Sequence, residues 1–148
     1  MGAPMPVETW AEDARYAARF LAEALDENVD RVMEMPLEFA SVLDQALADL
    51  DVSALEEDEF IRLSWRITAF LAETLMSMHG GRWDWIEGDD DTAIGIWVLT
   101  GWDCLPEACP QVVNPAQVVI DEMRQAKPSF VRMVNTAVAL SGVRVFAF

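Results

Sequence analysis

Residues 67–86 read ITAFLAETLMSMHGGRWDWI, and within this stretch the hydrophobic pattern changes its period. In the first half, the inward residues recur every three or four positions, which predicts a helix with one buried face. The stripe begins before this stretch and consists of Phe60, Leu63, Ile67, Phe70, Leu71, Thr74 and Met78. Gly80 and Gly81 then end the helix. Trp83 and Trp85 alternate with Asp84 directly afterwards, and this two-residue repeat predicts a strand.

Two more helices are predicted before this stretch. Thr9 and Glu12 fit a capping box, whose side chains satisfy unpaired helix amides, so a helix is expected from about residue 10 to residue 25. Residues 1–7 are expected to fray. After a polar break at residues 26–30, Pro36 suits the first turn of the next helix, because the amide that proline lacks would be unpaired there anyway.

Four consecutive acidic residues lie at the start of the helix that continues into residues 67–86. Ser53 and Glu56 fit a capping box that opens this helix, which is expected to end near Met78. The run, hereafter the acid run, consists of Glu56, Glu57, Asp58 and Glu59. Negative charge is favourable here because the helix macrodipole is positive at its N-terminus.

The second half of the chain mixes strands and helices. Alternation at Ile94, Ile96 and Val98 predicts a second strand, with residues 87–92 as a hairpin tip. Short strands are also expected at residues 111–113 and 143–148. Asn114 with Pro115 opens a fourth helix, and residues 130–140 form a fifth.

These elements predict an α+β fold in which about five helices pack on a small antiparallel sheet of three to four strands. A length of 148 residues is within the usual size of one domain. We therefore expect a single domain over residues 1–148, with a frayed tail (1–7), an acidic helical half (8–79) and a mixed half (80–148).

Charge is distributed unevenly along the chain. Residues 1–60 hold 16 Asp and Glu against three Arg, a net charge of −13, while residues 61–148 hold 10 against seven Lys and Arg, a net charge of −3. A lobe of this sign repels phosphate backbones and anionic lipids, whose binding depends on Lys and Arg. Direct nucleic-acid binding is therefore not expected, and a basic protein surface is the expected partner.

The sequence predicts a cytoplasmic protein that does not span a membrane. No stretch reaches the roughly 18–20 apolar residues that a membrane helix needs. Glu8, Glu12 and Asp13 interrupt the apolar core that a signal peptide would require.

No group of residues indicates an active site. His79 is the only histidine, and it lies at a predicted helix C-terminus, where a cation is favourable without any catalytic role. Cys104 and Cys109 are expected to be free thiols, because a zinc site would need two more ligands. Asp89–Asp91 lacks the alternating ligands of an EF-hand loop. We predict no catalytic residue, no metal and no cofactor.

The chain has six tryptophans, and two of them leave alternatives open. Trp83 and Trp85 point to one face of the first strand, which either packs under the helices or leaves an indole exposed beside Asp89–Asp91 as an anchor for a partner. The candidate partner-binding residues are Glu56, Glu57, Asp58, Glu59, Trp83, Trp85, Asp89, Asp90 and Asp91.

Three segments together resemble those of small uncharacterised bacterial α+β proteins. The segments are residues 36–50, residues 70–75 with the turn at residues 80–83, and residues 113–115 before an amphipathic helix. In those proteins a helical half ends in a Gly-Gly-x-Trp turn into a hairpin, followed by a Val-[Asp/Asn]-Pro helix start. The likeness covers residues 35–125, implies an α+β fold and supplies no catalytic residue. Such proteins are sometimes stand-alone partners or immunity factors.

Three functions are consistent with these features. The first is an acidic inhibitor or immunity-type protein that neutralises a basic, nucleic-acid-handling partner, or a phage protein that imitates nucleic-acid charge. The second is a non-inhibitory accessory or assembly subunit whose acidity serves solubility alone. The third is an enzyme with an active site that the sequence does not single out. The uneven charge favours the first.

Overall fold

The structure, a computed structural model, describes residues 3–87, 95–102 and 112–141. In these ranges the chain forms six α-helices and a two-stranded antiparallel sheet, which confirms the predicted α+β class. The helices are α1 (Val7–Ala24), α2 (Val29–Glu34), α3 (Ala40–Ala48), α4 (Glu57–His79), α5 (Pro115–Met123) and α6 (Phe130–Ser141). The strands are β1 (Gly80–Ile86) and β2 (Ile96–Trp102), and short 3-10 helices cover Pro36–Phe39 and Val52–Ala54.

The prediction of three to four strands is wrong, since the described residues contain two. Of the strand expected at residues 111–113, the structure describes a single bridge, in which Val113 exchanges backbone hydrogen bonds with Leu99. Helix α5 begins only two residues later, which leaves no length for a strand. The strand expected at residues 143–148 lies outside the described residues, as do most of the hairpin tip and the loop after β2.

Two helix starts follow from local signals that the sequence contains. Pro36 is the first residue of a 3-10 helix that leads directly into α3, as its position predicted. At α5, the side chain of Asn114 accepts a hydrogen bond of 3.2 Å from the amide of Gln117, and Pro115 occupies the first helical position. Both features match the predicted roles of these residues.

Both predicted capping boxes are wrong because neighbouring residues start the helices elsewhere. At α1, the amide of Trp10 already bonds the carbonyl of Pro6 at 3.1 Å, so the helix begins before Thr9. At α4, Asp51 binds the hydroxyl of Ser53 at 2.6 Å and holds it in the preceding 3-10 turn. Glu56 is instead the N-cap of α4, and the carboxylate of Glu59 accepts the Glu56 amide at 3.4 Å.

Two segments near the N-terminus have contacts that the sequence did not indicate. Within the tail that was expected to fray, Ala3, Met5 and Val7 pack against the core. Part of the polar break predicted at residues 26–30 belongs to α2, a short helix whose start is capped by Asn28, which accepts the Arg31 amide at 3.1 Å.

The core forms around α4, which packs against α1, α5, α6 and β1. Phe70, in the middle of α4, is fully buried, with its ring centroid 5.1 Å from that of Phe39 and 5.3 Å from that of Phe130. Of the predicted α4 stripe, Ile67, Phe70, Leu71 and Thr74 are buried. Phe60 and Leu63 are half-buried, and Met78 near the end of the helix is exposed. The buried face of α1 consists of small residues and one leucine: Ala14, Ala17, Ala18, Leu21 and Ala22. Small side chains let α1 lie close to α4.

Asp44 of α3 supplies a cap for a helix far away in the sequence. Its carboxylate accepts hydrogen bonds from the Phe130 amide and, at 3.3 Å, from the Ser129 hydroxyl, both at the start of α6. Glu122 of α5 accepts the Ser129 amide at 3.0 Å, so two acidic side chains satisfy the N-terminus of α6. The α3, α5 and α6 helices are therefore joined by polar as well as apolar contacts.

Replacement of Asp44 by alanine should lower the free energy of unfolding by about 1–2 kcal/mol, because the α6 amides would lose a partly buried cap. Urea denaturation measures the change. Asp49→Ala is the matched control, since this exposed carboxylate at the end of α3 contacts only the Gln45 side chain through its own side chain. We expect the control to change stability by less than about 0.5 kcal/mol. Equal effects of the two substitutions would contradict the capping role.

Candidate functional site

The carboxylates of the first 60 residues lie on the surface. Of the 16 acidic residues in this part of the chain, 15 are exposed, and Asp44 alone is half-buried by its capping contacts. The charges of these 15 carboxylates are therefore at the protein surface. The negative potential inferred from the sequence is presented to solvent in the folded protein.

Arginines compensate few of these carboxylates. Within the described ranges, three of the 16 form ion pairs: Asp30 with Arg19, Glu38 with Arg31, and Asp58 with Arg62. The side chains of all three pairs are exposed, so water screens each pair and its net stabilisation is small. Arg62 is also the only one of the three arginines that comes from the later half of the chain.

The acid run occupies the N-terminus of α4 and is exposed at all four positions. Glu56 and Glu59 cap the helix, whereas Asp58 pairs with Arg62 one turn further along, at 3.0 Å. Glu57 makes no hydrogen bond or ion pair with the described residues. Three of the four side chains thus have a local contact, yet all four carboxylates remain open to solvent.

An aromatic groove, hereafter the α1–α4 groove, lies between the first and fourth helices. Helix α1 contributes Trp10, Asp13, Tyr16 and Phe20, and α4 contributes Arg62, Trp65 and Arg66. Met5 closes one side, and the groove has a volume of about 440 Å³. Because Arg62 pairs with Asp58, the groove and the acid run adjoin each other on the surface.

The sequence prediction missed this groove, although part of its signal was present. Asp13, Tyr16 and Phe20 recur at three and four residues and form a second stripe on α1, beside the buried alanines. Nothing along the chain indicated which helix faces that stripe. The α4 side of the groove comes from tertiary packing.

Trp83 belongs to a cluster of five tryptophans that joins α1, α4 and the sheet. The indole of Trp10 stacks on Trp97 at 4.8 Å and meets Trp83 edge-on at 5.6 Å, and Trp65 and Trp85 extend the cluster. Trp83 is only 4% exposed, whereas Trp85 is half-buried. This burial favours the packing interpretation of Trp83 and leaves Trp85 with the larger accessible surface.

The other residues considered for binding, metal ligation or catalysis either lie outside the described residues or stand alone. Asp89–Asp91 and both cysteines lie outside the described ranges. His79 ends α4 as predicted, and its Nε2 atom is shielded from solvent without a hydrogen bond to the described residues. In the part of the chain that the structure describes, no three His, Cys, Asp or Glu side chains are grouped as metal ligands would be.

Glu73 is the acidic residue in the described ranges whose ionisation the fold disturbs most clearly. It lies on α4, where burial raises the pKa of its carboxyl, and the positive charge of Arg15 on α1 lowers it by a smaller amount. The folded protein therefore binds the Glu73 proton more tightly than the unfolded chain does.

Glu73→Gln should remove a pH-dependent loss of stability. Because the folded-state pKa is raised, the contribution of the Glu73 carboxyl to stability is fully present below its ordinary pKa of about 4.3 and is lost as the pH rises through the raised value. Melting temperatures of the wild type and the variant, measured from about pH 4 to about pH 8, should therefore diverge in favour of the variant as pH rises. Parallel curves would show that Glu73 ionises normally.

Comparisons of the chain with protein-family models, curated proteins and solved structures found no match. Among the described residues, no helix combines the length and the apolar character needed to cross a membrane. Any function must therefore be inferred from the surface itself.

Proposed function

We propose that this chain is a binding protein without catalytic activity, which attaches through its acidic surface to a basic protein and inhibits it, as an immunity protein or a nucleic-acid mimic does. One observation carries the proposal. Of the 16 carboxylates in residues 1–60, 15 are exposed and only three form ion pairs with arginine in the described ranges.

An excess of exposed charge of one sign acts over distances of about a Debye length, roughly 8 Å at physiological salt. It raises the rate at which an oppositely charged surface meets the protein, and it opposes the approach of nucleic acid or anionic lipid. A partner that normally binds nucleic acid presents Lys and Arg in the required density. Such a partner would be blocked at its own binding surface by this protein.

The α1–α4 groove supports the proposal because an interface needs apolar anchors as well as charge. Hot spots in protein interfaces are rich in Trp, Tyr and Arg, and these residue types line the groove directly beside the acid run. Tyr16 is 72% exposed, so its ring is available to a partner without any rearrangement of the fold. Trp85 on β1 is half-buried and therefore offers less surface than Tyr16.

The accessory-subunit alternative makes a different prediction about the same surface. If acidity serves solubility alone, the position of each carboxylate is unimportant and only the net charge matters. Under our proposal, carboxylates beside the groove contribute more to binding than carboxylates elsewhere.

Affinity capture from lysate of the native host tests the proposal. The purified protein is immobilised, and captured proteins are compared after washes at low and high NaCl concentration. We expect a partner with a basic isoelectric point, released as salt rises, whose activity falls when this protein is added. Capture of only acidic or neutral proteins, held equally at both salt concentrations, would refute the proposal.

A further inference from the structure

The α1–α4 groove has the size of a small-molecule site. Its volume of about 440 Å³ is within the range of roughly 300–1,000 Å³ that is typical of ligand pockets. The lining also resembles that of such pockets, since four of its nine residues are aromatic, two more are apolar and three are charged.

Two of the aromatic side chains in the groove are not required for the core. Tyr16 is 72% exposed and Phe20 is 40% exposed, although both are large apolar rings. Trp10 and Trp65 lie deeper, with ring centroids 4.9 Å apart, and belong to the tryptophan cluster. The groove thus has a half-buried aromatic base and an exposed aromatic wall.

Arg66 supplies the charge that defines the ligand. Its guanidinium lies 4.1 Å from the ring centroid of Phe20, and no carboxylate within the described ranges pairs with it, in a chain that has 26 acidic residues. Its neighbour Arg62 is already paired with Asp58. A guanidinium stacked on a ring keeps its planar edge of N–H donors, which fits a carboxylate with two parallel hydrogen bonds.

The surrounding charges limit the ligand to one negative group. Asp13 lines the groove itself, and Asp58 and Glu59 stand close to Arg62. Phosphate groups with several charges would be repelled by these carboxylates and by the net charge of −16. A single carboxylate can be neutralised by Arg66 alone.

We propose that the α1–α4 groove binds a small planar aromatic molecule with one carboxylate, whose ring stacks on the aromatic wall and whose carboxylate pairs with Arg66. This ligand site does not depend on the protein-binding function proposed above, although it uses the groove that lies beside the acid run, so a bound ligand and a protein partner would compete for Tyr16.

Isothermal titration with naphthoate tests the site on the full chain, with naphthamide as a neutral analogue of the same shape and naphthylmethylammonium as a cationic one. We expect saturable binding of naphthoate with a dissociation constant below about 1 mM, and binding of the amide that is weaker by about tenfold or more. Equal affinity for acid and amide, stronger binding of the cation, or no saturable binding of naphthoate would overturn the proposal.

Two substitutions and one control substitution locate the binding. Arg66→Gln should weaken naphthoate binding by about tenfold, whereas Arg124→Gln, the same charge change at the end of α5, should leave it unaltered. Tyr16→Ala should also weaken binding, because the exposed ring contributes stacking surface. If Arg66→Gln and Arg124→Gln bind naphthoate equally, the carboxylate does not pair with Arg66 and the proposal fails. The comparison of acid with amide needs no variant, so it remains valid if a substitution disturbs folding.

Discussion

Replacing the four carboxylates of the acid run by lysine should slow association with the basic partner by about ten- to a hundredfold. The substitutions change the net charge by eight units beside the α1–α4 groove and convert attraction into repulsion at that point. Long-range attraction acts mainly before contact, so the dissociation rate should change less. Stopped-flow mixing or surface plasmon resonance at about 50 mM NaCl measures both rates.

Matched double variants separate position from net charge. Glu57→Lys with Asp58→Lys should slow association clearly, whereas Asp84→Lys with Asp121→Lys, an equal change outside the acidic half, should have little effect. Lysine at a helix N-terminus opposes the macrodipole and costs about 0.3–1 kcal/mol per residue, so circular dichroism must confirm that each variant is folded. An unchanged association rate in both double variants would support the solubility alternative.

Phe70→Ala should lower the free energy of unfolding by about 3–5 kcal/mol. The side chain is fully buried, and its ring joins Phe39 of the first 3-10 helix to Phe130 of α6. Its removal leaves a cavity where the α4 helix meets both segments, and small domains have only about 5–15 kcal/mol of stability in total. Urea denaturation with a constant m-value provides the measurement.

Tyr16→Ala is the control for the Phe70 substitution, because it removes an aromatic side chain of similar size that is 72% exposed. We expect the control to change the unfolding free energy by about 0.5 kcal/mol or less. A small effect at Phe70 would contradict the central position of α4 in the core.

The sequence predicted the start or end of a helix correctly where a single residue type determines the backbone conformation. This applies to two helix starts, at Pro36 and at the Asn114-Pro115 pair. It also applies to the end of α4 at Gly80, which adopts a φ of 69°, a conformation that favours glycine. The failures occurred where two signals compete. Ser53 could pair with either Asp51 or Glu56, and the sequence does not show that it bonds Asp51.

The number of strands was overestimated because the apolar pattern of a segment does not show whether the segment pairs with a neighbouring strand over several residues. Residues 112 and 113 have the apolar character of a strand, but Val113 pairs with Leu99 at one position before Pro115 starts a helix. A strand needs length on both sides of such a bridge, and the helix start removes it on one side.

The candidate site was partly predictable for a similar reason. Charge and exposure are local properties, and the acid run has the exposure that its composition suggested. The groove depends on which helices meet: the contact of Phe20 with Arg66 joins α1 to α4, and no pattern within either helix specifies it. The burial of Trp83 likewise depends on Trp10, which packs on it from another element.

The most direct test of the proposed function is the association rate constant of the complex as a function of NaCl concentration. An encounter driven by the acidic half should slow by about tenfold or more between about 50 and 500 mM NaCl, and the lysine variant of the acid run should show a much shallower dependence. An association rate that stays constant across this range would contradict the claim that the exposed carboxylates recruit the partner.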